Sequence, residues 1–290
     1  MAPTLLDVAP LRRLAMAPTS VVPALLALSC IAAGFVPAQD RRRPLALAAK
    51  TVADIVPPPE TVKNTYWCIR HGQSTANVAN VISSDPVLGS ASHELTELGK
   101  SQARSAGGAL WASLEDFDGS VDLGKLALYS SNFTRARETS HLVAFEVQRL
   151  AQLAAGDFEC PPLVRVGLLE GLRERGFGDL DGMPTGAYDD VFRRDLADPF
   201  DGTAGVEPVA DVCARLRRLV DVLEERHAGD HVVLTAHADT IQIFQTWFAR
   251  GDVRSFSSYR FANGECRRCD DAGECLPEPA PMASQAGGAK

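Results

Sequence analysis

The sequence predicts an α/β protein, a three-layer α/β/α sandwich with a mainly parallel central sheet. Three observations carry this. Four short apolar runs, residues 66–69, 125–130, 163–169 and 231–236, have the length and continuity of strands buried on both faces. Stretches with helical spacing of apolar residues lie between them. Several runs end abruptly in polar turns that lead into helix starts. Strands alternating with helices specify crossover connections, hence parallel pairing with helices on both faces. In such open sheets, ligands bind just beyond the carboxyl ends of the strands.

The first run, Tyr66-Trp67-Cys68-Ile69, stops at Arg70-His71-Gly72. Arg offers a rigid fork of donors suited to phosphate. A neutral His can attack phosphorus if a hydrogen bond holds its other ring nitrogen. Gly lets the main chain come close to an oxyanion. Alone, such a tripeptide is more often a surface Arg beside a core His, so the downstream chain decides. Residues 78–95 read as loop. Thr96 can cap a helix running to about Leu114, in which Leu98, Ala103, Ala106 and Leu110 recur near helical spacing. The second run ends in Ser130-Ser131-Asn132-Phe133-Thr134-Arg135. Asn132 or Thr134 can cap the next helix, placing Arg135 in its first turn, and a helix amino terminus with a guanidinium makes an anion site.

The third run leads into Leu172-Arg173-Glu174-Arg175-Gly176-Phe177-Gly178, whose charges and glycines read as an exposed loop. Residues 183–206 are loop-rich, with a helical patch near 188–196. Residues 207–226 are the clearest helix. Val209, Val212, Cys213, Leu216, Leu219, Val220 and Leu223 step by three and four, and Pro208 fits the first helical position. The fourth run ends at His237-Ala238-Asp239-Thr240, where Asp239 or Thr240 can cap a helix over 241–248. Residues 259–266 read as a terminal strand.

These blocks resemble the histidine phosphatase superfamily, branch 1, the phosphoglycerate mutase-like proteins. Arg70-His71-Gly72-x-Ser74-x-x-Asn77 is similar to its signature. Ser130-Ser131-x-x-x-Arg135-Ala136-x-x-Thr139 is similar to its second arginine segment, and the Leu-x-Glu174-Arg-x-aromatic-Gly order to its proton-donor segment. His237 matches its second histidine, with Ala238 where Gly is usual. The resemblance covers about residues 64–265. It implies that His71 attacks phosphorus and becomes phosphohistidine. It implies that Arg70, Arg135 and His237 clamp the phosphoryl oxygens, assisted by Asn77 and by the main chain at Gly72. It implies that Glu174 protonates the leaving oxygen and then deprotonates water, with Glu170 a nearby rival. The implied activity is that of a histidine acid phosphatase-type phosphohydrolase acting on a small phosphorylated substrate, with no cofactor. A mutase, in which an alcohol replaces water, is the alternative; a scaffold that keeps the fold is the second. The extra segments of cofactor-dependent mutases have no clear counterpart, which favours the phosphatase.

The chain has 290 residues and a net charge of -8, which argues against a nucleic-acid partner. No Walker-type glycine loop is present. Of 7 cysteines, Cys68, Cys160 and Cys213 sit among apolar residues. Cys266-x-x-Cys269 with Cys275 offers three sulfurs and no nearby His, so no metal site is expected. Residues 1–60 read as a targeting leader and linker, 61–270 as the catalytic domain and 271–290 as a disordered tail. Residues 20–38 are apolar and small, with Arg12 and Arg13 upstream and Arg41-Arg42-Arg43 downstream. That fits a signal peptide better than a membrane span, so no membrane association of the mature form is expected. The Ala33-Gly34-Phe35 junction resembles bipartite plastid leaders of algae with secondary plastids, the secretory pathway being the alternative. Pro57-Pro58-Pro59 reads as a linker.

Overall fold

A computed structural model describes residues 50–114, 121–155, 163–269 and 276–280. The expected leader up to residue 49, Cys160, Cys275 and the chain from 281 lie outside the described residues.

Five strands form one sheet: β1 (Thr65–Arg70), β2 (Leu126–Ser130), β3 (Val166–Leu168), β4 (His231–Ala236) and β5 (Cys266–Cys269). Their order is β3-β2-β4-β1-β5. All neighbours run parallel except β5, which pairs antiparallel with β1. The seven helices among the described residues are α1 (Thr75–Ala79), α2 (Pro86–Ala91), α3 (Glu97–Leu114), α4 (Thr134–Ala155), α5 (Tyr188–Ala197), α6 (Val209–Arg226) and α7 (Ala238–Phe248).

The three layers follow from strand alternation. In β1, Tyr66 and Cys68 point to one face and Trp67 and Ile69 to the other. The first face joins Val232 and Leu234 of β4 in a core closed by α6 and α7 through Val212, Leu216, Val220, Ile243 and Phe244. The second face, with Leu128 and Val233, packs on Ala106, Leu110, Val143 and Val147 of α3 and α4. Each fully buried aliphatic side chain contributes about 1.5–3 kcal/mol. No described helix is long and apolar enough to cross a membrane.

The structure differs from the sequence reading at several boundaries, each for a local reason. The expected loop 78–95 contains the end of α1 and all of α2. The Asp85 carboxylate accepts from Val87 N and Leu88 N, both at 2.8 Å, and Pro86 stands at the first helical position. A six-residue helix is too short to show a period. Thr96 does cap α3, accepting from Gly99 N at 3.1 Å. Neither Asn132 nor Thr134 caps α4: Ser131 Oγ accepts from Phe133 N, while Asn132 Oδ1 accepts from Arg173 Nε and Thr134 donates to Ser90 O. α7 begins earlier than expected, with His237 at its cap position and Asp239 and Thr240 inside its first turn. α6 starts one residue after Pro208.

The terminal strand is 266–269, not 259–266. Residues 259–265 instead fold over the end of β1. Gly264, at φ 73, donates its N–H to Arg70 O at 3.1 Å, and Asn263 Nδ2 donates to His71 O at 3.0 Å. The polyproline stretch is held against the domain: Arg217 donates to Pro57 O, Arg250 to Pro59 O and Trp247 to Val56 O. Residues 276–280 also lie on it, through Ala280 N to Ser258 O.

Candidate active site

Beyond the carboxyl ends of the strands lies a cleft of about 120 Å³. Sheet register builds it. Arg70 pairs with Ala236 and Ser130 with Thr235, so the residues that leave the sheet next, His71, Ser131 and His237, meet at one level. α4 brings Arg135 into the cleft, the loop after β3 brings Glu174, and the first turn of α7 brings Ala238 and Asp239.

His71 is buried, and its Nδ1 lies 2.7 Å from Gly72 O. A carbonyl only accepts, so Nδ1 carries the proton and Nε2 keeps the lone pair. Arg135 Nε donates to that lone pair at 3.2 Å. Burial, then the charges of Arg135 and Arg70, hold the His71 pKa well below the ordinary histidine value. The ring therefore stays neutral and nucleophilic. His237 is depressed in the same way, by burial first and Arg135 second. Because both folded values lie below the unfolded value of about 6.5, the unfolded chain takes up protons first. Stability is thus expected to fall as pH drops through ~6.5 and to gain nothing from these groups above it. In NMR, the ring resonances of His71 and His237 should show no titration down to that pH; an inflection near the ordinary value would contradict this.

Arg70 is anchored by Nη1 to Phe261 O at 2.7 Å, while its buried Nε has no hydrogen-bond partner among the described residues. Arg135 is positioned by Ser83, through Nη1 to Oγ at 3.2 Å and Nη2 to the carbonyl at 2.8 Å. Asn77 lines the cleft; its Oδ1 accepts from Ser74 N and Oγ, completing the capping box in which Ser74 caps α1. Gly72 donates its N–H to Thr139 Oγ1 at 3.0 Å and packs so tightly on Gly99 that a Cβ would overlap the Gly99 carbonyl. Ala238 sits at a helical position and carries no positive φ, so its methyl is accommodated.

His237 is fully buried, its ring centroid 5.2 Å from that of His71 and 5.0 Å from that of Phe133. Its Nε2 bonds Ser131 Oγ at 2.9 Å. In this structure it buttresses the His71 ring.

Of the two candidate acids, Glu174 faces the cleft and Glu170 does not. Glu170 is largely exposed and pairs with Arg173 at 2.7 Å. Glu174 Oε1 accepts from Arg175 N at 3.0 Å and Thr240 N at 3.3 Å. Burial raises its pKa against the pull of Arg135 and these two N–H groups. Its neighbour Arg175, read as an exposed charge, is fully buried in a bidentate pair with Asp195, both contacts at 2.7 Å. Asp239, Tyr188 and Arg260, not among the residues expected at the site, line the same cleft. Asp239 had a signal, a carboxyl two residues after a strand-end histidine, but was read only as a helix cap. Tyr188 and Arg260 lay in segments with no distinctive pattern.

The model of the histidine phosphatase superfamily (branch 1) matches residues 66–274. The chain belongs to this superfamily. It is also 28% identical over 188 residues to a 2,3-bisphosphoglycerate-dependent phosphoglycerate mutase of Methylobacterium sp. (strain 4-46), covering 60% of this chain and 74% of that protein. A protein of the same description from Methylorubrum extorquens (strain PA1) is 27% identical, over 67% of this chain and 84% of its own. Among solved structures, a mycobacterial glucosyl-3-phosphoglycerate phosphatase superposes with a TM-score of 0.52 at 24% identity, covering 71% of this chain and 92% of that one. These superfamily neighbours share the fold, and the superfamily holds both phosphatases and mutases among the relatives found.

Proposed function

We propose that the protein is a phosphomonoester hydrolase that works through a phosphohistidine at His71. The observation that carries this is the His71 ring: a neutral tautomer locked by Gly72 O, with Nε2 in a guanidinium-lined cleft. The cleft is far smaller than the roughly 300–1,000 Å³ of sites that enclose whole ligands, and suits a single phosphoryl group. Phosphoryl transfer depends mainly on positioning and on charge placed around the equatorial oxygens. Arg70 has an unspent Nε–H, and Arg135 can release Nε2 to take a phosphoryl oxygen. Attack by Nε2 breaks the bond to the leaving oxygen, which takes a proton from a carboxyl of the cleft. Water then attacks the phosphohistidine and gives a proton back. That Glu174 lines the cleft supports this reading.

The test is release of inorganic phosphate across sugar phosphates, phosphoglycerates, nucleotides and phosphopeptides, with acid-quench trapping of labelled phosphohistidine. Glu174→Gln is expected to lower turnover by about 10²- to 10⁴-fold. An unchanged rate would remove Glu174 from the mechanism. The mutase names of the curated relatives favour a second reading, in which an alcohol takes the phosphoryl group. Exchange between 2- and 3-phosphoglycerate that needs 2,3-bisphosphoglycerate and releases little phosphate would establish that reading instead.

A further inference from the structure

Two carboxyl groups face the cleft, and their surroundings differ. Glu174 Oε1 accepts two main-chain N–H bonds, from Arg175 and Thr240. Asp239 is almost completely buried at 4% exposure, and it accepts no hydrogen bond among the described residues; its Oδ2 is an orphan. The nearest cation is Arg175 Nη1 at 3.7 Å, beyond hydrogen-bond distance. That guanidinium is already committed to Asp195 and, through Nε, to Glu207 O at 2.6 Å. A buried carboxylate without donors is costly, whereas a protonated one needs only an acceptor. The incoming phosphoryl ester is such an acceptor.

We propose that Asp239 is a second catalytic acid: it carries the proton in the resting site, while Glu174 is ionised and acts as the base. The inference rests on the phosphohydrolase reading above and divides its acid–base work. In the first step, His71 Nε2 bonds phosphorus, the bond to the leaving oxygen breaks with its electron pair, and that oxygen takes the Asp239 proton. In the second step, Glu174 takes a proton from water, the oxygen bonds phosphorus, and the N–P electron pair returns to Nε2. Transfer of the proton from Glu174 to Asp239 resets the site, so one ester and one water give one alcohol and one phosphate.

The charges around Asp239 support the division. Glu174 from the loop after β3 and Asp195 from α5 each oppose its ionisation, while Arg175 and Arg70 favour it. Burial outweighs them all and holds its pKa well above the usual carboxylate value.

Asp239→Asn and Glu174→Gln separate the roles. With an alkyl phosphate, whose alkoxide leaves poorly, Asp239→Asn should lower kcat/KM by about 10²- to 10⁴-fold. With nitrophenyl phosphate, which leaves without a proton, the loss should be less than about tenfold. Glu174→Gln should slow both substrates alike and accumulate phosphohistidine. A leaving-group-dependent loss in Glu174→Gln, with Asp239→Asn near wild type on both substrates, would overturn the assignment. Infrared spectroscopy of the unliganded protein near neutral pH reads the resting proton without turnover. A protonated carboxyl band that vanishes in Asp239→Asn and persists in Glu174→Gln is expected; the reverse pattern, or no such band, would refute the proposal. Wild-type protein that hydrolyses neither ester would instead sink the phosphohydrolase reading, leaving the infrared result to decide where the proton sits.

Discussion

Replacing His71 by Ala is expected to abolish turnover, by on the order of 10⁶-fold, and to abolish acid-labile phosphate labelling of the protein. The size follows from what the side chain does. Nε2 accepts from Arg135 in the cleft that Arg70 also lines, and its tautomer is fixed by Gly72 O. Water in the space left by the imidazole would meet the same cations but would lack the lone pair held in line. The control is His237→Ala. That ring packs edge-on against His71 and is tied to Ser131 Oγ, so its loss loosens the nucleophile without removing it. Slower turnover with labelling still present is expected. Phosphohistidine formed by His71→Ala would transfer the nucleophilic role to His237.

The parts of this site that were legible in the sequence are those fixed by strand ends. Arg70-His71-Gly72 and His237 each follow a buried run directly, and a parallel sheet brings such ends to one edge. The layers were legible for the same reason, since the alternation of Tyr66 and Cys68 with Trp67 and Ile69 needs a core on each face. What was not legible depends on partners distant in sequence. Arg175 reads as an exposed charge because nothing local shows that it meets Asp195 in the interior. Asp239 read as a helix cap because a cap and a cleft acid have the same local pattern. His237 was expected to clamp phosphate, and only the packing of Phe133 and Ser131 around it shows where its ring lies. Residues 259–265 have strand-like composition, yet Gly264 and Asn263 spend their hydrogen bonds on the end of β1.

The Arg175–Asp195 pair gives the largest expected effect on stability. Both side chains are buried, and the bond is bidentate at 2.7 Å. Arg175 also reaches Glu207 O through Nε and stacks near Phe177 and Phe256. Asp195→Ala leaves a buried guanidinium without its carboxylate, which costs about 3–5 kcal/mol. That is a large share of the 5–15 kcal/mol that usually separates folded from unfolded. One carboxylate stands close enough to respond, Asp239 at 3.7 Å. In Asp195→Ala the orphaned Arg175 should draw Asp239 into an ion pair and hold it ionised. Two consequences are measurable. The unfolding free energy from urea titration should fall by about 3 kcal/mol in the single variant, with a lower midpoint. It should fall further, and more than additively, in Asp195→Ala/Asp239→Asn, because no other carboxyl among the described residues then stands within 4 Å of the Arg175 guanidinium. Asp195→Ala should also lose activity mainly on substrates with poor leaving groups, since Asp239 can no longer arrive protonated. Additive midpoints in the double variant would show that Asp239 does not answer the vacancy, and that the two buried acids on either side of Arg175 are independent.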